Sequence, residues 1–102
     1  MGTQVALGRF SRRARGGDPV EHRVTLISRV GCHLCEQAEQ TLRRLRDELG
    51  FAYEELDVDA DAERRRAYSD RVPVVLLDGK EHGYWQVEEQ RLRKALAAPV
   101  RN

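Results

Sequence analysis

The chain holds two cysteines, Cys32 and Cys35, inside the stretch Gly31-Cys32-His33-Leu34-Cys35-Glu36. A Cys-x-x-Cys pair can exchange disulfides, ligate a metal or form a structural bridge. Exchange needs one thiolate to attack and a second thiol to resolve. Two intervening residues keep both sulfurs within one helical turn, as the short Cα separation of a disulfide requires. For a metal, two cysteines supply only two of the four ligands of a zinc or iron–sulfur site. A mononuclear zinc site would need His33 or His82 to converge on them.

The pair lies where a strand gives way to a helix. Val24-Thr25-Leu26-Ile27 precedes it, a continuous apolar run suited to a strand buried on both faces, within Arg23 to Ser28. After it, Leu34, Ala38, Leu42, Leu45 and Leu49 recur at helical spacing, and Gly50 is placed to cap the helix. The helix is expected over 32–49. Cys32 therefore falls at a helix N-terminus, where free N–H groups and the dipole stabilise an anion, here the thiolate.

The remaining elements follow in order. A second strand is expected over 52–58, and a short, highly charged helix over 60–68. Val74-Val75-Leu76-Leu77 reads as a strand, Asp78-Gly79 as a hairpin turn, and 80–83 as the returning strand. A last helix is expected over 86–97, ended by Pro99. Residues 1–20 read as a disordered arm, 21–98 as one domain and 99–102 as a tail. The arm carries Arg9, Arg12, Arg13 and Arg15 without aromatic interleaving, and is read as a solvated extension rather than a polyanion-binding tail. Likewise Arg64-Arg65-Arg66 is read as a solvated helix face.

The 102 residues, 40% hydrophobic and 34% charged, suit a single domain with a modest core. A net charge of +1 gives no general reason to expect nucleic acid or an anionic membrane as partner. No apolar run approaches the roughly 18 residues of a membrane helix. The N-terminus shows no signal-peptide pattern. A cytoplasmic monomer is expected, where a cysteine pair is more often catalytic, redox-sensing or metal-binding than a structural bridge.

The order β-α-β-α-β-β-α fits a four-stranded mixed sheet flanked by helices. With Cys32-His33-Leu34-Cys35 after the first strand, Val72-Pro73 opening the third, and the Asp78-Gly79 hairpin before a last helix, the chain resembles the thioredoxin fold. Within it, the chain is similar to the glutaredoxin-like branch of small bacterial thiol oxidoreductases. The resemblance covers about Arg23 to Ala97. It implies that Cys32 is the nucleophile and Cys35 the more buried resolving thiol. It implies a cis bond at Val72-Pro73, leaving the Val72 backbone to pair with an extended substrate beside Cys32.

The same resemblance implies a disulfide-bearing protein or small-thiol substrate and no required cofactor, with glutathione or another small thiol as co-substrate. Arg71 is the residue placed to meet a glutathione carboxylate. His33-Leu34 replaces the usual Pro-Tyr between the cysteines, and His33, if protonated, would favour the Cys32 thiolate. Gly83-Tyr84-Trp85-Gln86 stands where the family usually has two glycines whose backbone binds a glutathione carboxylate. Tyr84 and Trp85 are read as a cap over the core ahead of a substrate-facing surface. His22 and His82 are read as surface or strand-end residues. The function expected is thiol–disulfide exchange; the alternative is an iron–sulfur or zinc-binding module using the same cysteines.

Overall fold

The computed structural model describes residues 17–100. Most of the expected arm, with its arginines, lies outside them. Four strands form one sheet in the order β2-β1-β3-β4: β1 (Arg23–Ser28), β2 (Ala52–Asp57), β3 (Val74–Leu77) and β4 (Lys80–Tyr84). The helices are α1 (His33–Leu49), α2 (Ala62–Tyr68) and α3 (Glu89–Leu96). β1 runs parallel to β2, and β3 is antiparallel to both β1 and β4. This is the mixed α/β sheet expected of the thioredoxin fold.

β1 is the strand the others are built around. Alternation sends Val24 and Leu26 to one face, where they meet Ala38, Leu42 and Leu45 of α1 and Leu92 and Leu96 of α3. Ile27 points to the other face and packs with Val58, Val74 and Tyr68 of α2. Thr25 is buried and donates its hydroxyl to Glu54 at 3.0 Å, so its one polar atom is satisfied.

Asp78 and Gly79 have φ of 53° and 86°, as a two-residue hairpin of the type that needs positive φ at both positions requires. β4 then departs from simple pairing. Val75 faces Gly83 while Leu76 faces Glu81, which leaves His82 as the extra residue of a bulge.

Several boundaries differ from the sequence reading. The chain is already folded at Pro19–Glu21, a 3-10 turn capped by Asp18, rather than from residue 21. The segment 58–60 is also a 3-10 turn, so α2 starts only at Ala62, where the Asp61 side chain accepts from Arg64 N–H. α3 starts at Glu89 rather than Gln86. Arg93 forks onto Glu48 and Glu89, and Arg44 onto Glu89, tying α3 to α1.

His22 is a strand-end residue but not a surface one. It is buried, with Nδ1 2.6 Å from Asp78 Oδ2 and Nε2 2.7 Å from the Ala98 carbonyl. Asp78 Oδ1 also accepts the Arg23 N–H at 2.8 Å. One carboxylate therefore joins the start of β1, the hairpin and the chain beyond α3. Asp78→Ala removes both contacts and places alanine at a positive φ. Urea denaturation should show a loss of about 2–4 kcal/mol, with Asp78→Asn recovering part of it.

Candidate functional site

Gly31 opens the site. Its φ of 81° turns the chain out of β1, and no atom lies within 4 Å of where a Cβ would stand. The demand for glycine here is conformational, not steric. Cys32 then serves as the N-cap of α1, so the helix begins one residue later than the spacing suggested. Its Sγ accepts the Cys35 N–H at 3.2 Å, the place an N-cap oxygen ordinarily fills. The Cys32 N–H donates to the Arg29 carbonyl at 3.2 Å.

The two thiols have different surroundings. Both are free, Cys32 partly exposed and Cys35 buried at 2% exposure. Burial pushes the Cys35 thiol up from 9.0 to about 11, and its hydrogen bond to Cys32 adds to the rise. A backbone hydrogen bond from Arg29 acts the other way. Arg29 is itself held in place. Its guanidinium forks onto Asp59 at 2.8 and 3.1 Å and reaches the Ser69 hydroxyl at 2.7 Å. No periodic or motif signal marks Arg29 in the sequence, because Asp59 and Ser69 lie 30 and 40 residues away.

Val72-Pro73 is cis. β1 ends toward the cysteines where β3 enters from Pro73, since Ile27 faces Val74 at the end of that ladder. The Pro73 carbonyl accepts the Trp85 N–H at 2.7 Å, which brings the segment after β4 to the same end of the sheet. Trp85 has φ of 73°, rare for a bulky side chain and worth about 1–3 kcal/mol of strain. Tyr84 meets its ring edge-to-face at 5.0 Å. Both rings are about half exposed rather than capping the core. Only the resemblance drew attention to this segment; the positive φ had no signal in the sequence.

A cleft of about 580 Å³ opens between Leu34, Tyr84, Trp85 and α3, with buried Val75 and Leu92 among its lining. Leu34, between the cysteines, thus borders both the cysteine pair and the cleft. His33 is exposed and turned along its own helix, Nε2 3.3 Å from Gln37 Nε2 and Nδ1 4.0 Å from Glu36. His82 also borders the cleft, and burial together with Arg91 holds it below the ordinary histidine range, which favours the neutral ring.

Arg71 is engaged elsewhere. It donates to the Ala67 carbonyl, pairs with Glu81 at 3.3 Å and lies over the Tyr68 ring at 5.9 Å. The expected free guanidinium for a carboxylate is therefore already occupied, because β4 brings Glu81 beside it. Among the described residues, no group of three or more His, Cys, Asp or Glu is arranged to hold a metal ion. Among the same residues, no helix is long and apolar enough to cross a membrane.

The contrast between the cysteines has a direct check. In the reduced protein, iodoacetamide should modify Cys32 well before Cys35 at pH 8. The initial rate at Cys35, followed by peptide mass spectrometry, should climb about tenfold per pH unit and level off only near pH 11. Levelling near 9.0 would mark Cys35 as an ordinary thiol.

Comparison with known proteins finds chains of similar sequence and similar fold. The protein Rv0508 of Mycobacterium tuberculosis is 46% identical over 79 residues, covering 72% of this chain and 81% of that protein. The structure of XcR50 from X. campestris is 39% identical with a TM-score of 0.58, covering 72% of this chain and 93% of that one. The solution structure of Ne2328 from Nitrosomonas europaea is 29% identical with a TM-score of 0.66, covering 74% and 92%. Fasciola hepatica thioredoxin, 21% identical with a TM-score of 0.57, covers 91% of this chain and 90% of its own and shares the fold. The model of the Glutaredoxin-like domain (DUF836) matches residues 23–97, from the first residue of β1 to just past α3, and the chain belongs to that family.

Proposed function

We propose that the protein is a thiol–disulfide oxidoreductase with Cys32 as nucleophile and Cys35 as resolving thiol. The observation that carries this reading is the asymmetry of the pair: a partly exposed sulfur capping α1 beside a buried thiol held protonated. The Cys32 thiolate attacks one sulfur of a substrate disulfide. A Cys32–substrate disulfide forms, and the other half leaves as a thiolate that takes a proton from water. Cys35 then gives up its proton and attacks Cys32 Sγ. The internal disulfide forms and the second half leaves as a thiol. Two electrons pass from the dithiol to the substrate, and an external dithiol or two monothiols return them.

The 3.2 Å bond from Cys35 N–H to Cys32 Sγ favours the first step, because an amide donor steadies negative charge on sulfur. The high value at Cys35 favours keeping it a thiol until the mixed disulfide has formed. Val72, next to Pro73, is the residue whose backbone would align an extended substrate. In this reading His33 and Leu34 border the thiolate, no metal or organic cofactor is required, and the protein acts as a monomer.

Reduction of hydroxyethyl disulfide with dithiothreitol as electron source tests the roles. Cys32→Ser should abolish turnover. Cys35→Ser should instead accumulate a mixed disulfide, seen as added mass on Cys32. Full activity in Cys32→Ser would overturn the proposal.

A further inference from the structure

The large apolar side chains exposed among the described residues are not scattered. They number five: Val30 at 87% and Leu34 at 49% adjoin the cysteines in sequence, and Tyr84 at 45% and Trp85 at 54% share a cleft with Leu34. Val30 precedes Cys32 by two residues and Leu34 lies inside the motif. Tyr84 and Trp85 are brought there by the bulge at His82 and the bond from Trp85 N–H to Pro73. Leu34 and Trp85 also border a second cleft of about 170 Å³, toward Ala38 and Thr41 of α1. Grouped exposed apolar surface of this kind marks a binding region.

Its charges do not suit a small anionic thiol. Arg71 is occupied by Glu81 and the Ala67 carbonyl. Arg91, on the cleft, donates to the His82 carbonyl at 2.6 Å and lies 3.9 Å from Glu88. The start of α3 is acidic, with Glu88 as its cap residue and Glu89 in its first turn. Carboxylates of the chain itself thus stand at the helix end that would otherwise attract an anion. The Trp85 N–H, spent on Pro73, is not free for a ligand. Glutathione brings two carboxylates, whereas a polypeptide segment brings side chains without them.

We propose that the cleft between Leu34, Trp85 and Leu92 receives an apolar side chain adjoining the half-cystine of a protein disulfide, so that the protein selects apolar polypeptide disulfides over glutathione disulfide. This rests on the oxidoreductase reading and names its substrate class. Trp85 is then a specificity residue: it contacts the chain next to the reacting sulfur and takes no part in the exchange itself.

The test compares disulfides reduced by the full chain. One probe is a capped tripeptide disulfide with phenylalanine after its cysteine, a second has glutamate there, and a third is glutathione disulfide. Hydroxyethyl disulfide, which has no side chain for the cleft, serves as reference. Second-order rates come from acid quenching and chromatography. The phenylalanine probe should react about tenfold faster than the glutamate probe or glutathione disulfide. In Trp85→Ala, the ratio of the phenylalanine rate to the reference rate should fall about tenfold, and in the milder Leu34→Ala about threefold. Equal rates for glutathione disulfide and the phenylalanine probe would overturn the inference, as would an unchanged ratio in both variants. Normal reduction of hydroxyethyl disulfide in those cases leaves the oxidoreductase reading standing. No reaction with any of the four overturns both.

Discussion

The double-sided burial of β1 is the constraint on which the rest depends. Val24 and Leu26 are sealed by α1 and α3, and Ile27 by the α2 side. A strand packed on both faces can neither slip in register nor tilt without exposing one row of side chains. Its end at Ser28 is therefore a fixed point. The turn at Gly31 and the cap at Cys32 are built outward from it, and β3, paired to the same strand, delivers Pro73 to the same end. The cysteines and the proline are 38 residues apart in sequence, counting from Cys35, yet one strand places both.

From that anchor the two thiols acquire separate characters through position alone. Cys32 stands at the edge of α1, partly exposed. Cys35, one turn inward, is sealed beneath it. The motif is symmetric as written, but a helix start has a wet end and a dry end. Arg29, locked by Asp59 and Ser69, adds rigidity at the hinge between strand and turn, through its carbonyl to Cys32 and its backbone bond to Cys35.

The parts of the fold legible in the sequence were those set by local rules. The apolar run of β1, the helical spacing of α1, the glycine after Leu49 and the Asp78-Gly79 turn each specify their own geometry within a few residues. The bulge at His82, the late start of α3 and the positive φ of Trp85 were not legible. They arise because Gln86–Glu88 continues from a loop tied to Pro73 instead of entering the helix at once. Partners distant in sequence account for the rest. His22 looked like a surface residue until Asp78 and Ala98, 56 and 76 residues on, closed over it. Arg71 looked free until β4 set Glu81 beside it. At the candidate site, the sequence indicated the cysteines and the proline, but not which neighbouring cations were already engaged.

The bridge through His22 also governs how the unit could bear load. Gly17 N–H donates to the Ala97 carbonyl at 2.9 Å, and a Cβ at Gly17 would overlap the Ala98 carbonyl, so the two strands of chain pass in direct contact. Both lie at the start of β1, with His22 fastening Ala98 to Asp78 between them. The dithiol lies at the other end of that strand, about 20 Å away for six residues. Tension entering at Gly17 and leaving at Ala98 would run through the Gly17–Ala97 bond and the His22 bridge and not through the turn at Gly31. The cysteine end of the sheet is thus mechanically isolated from the end where residues 17 and 98 meet.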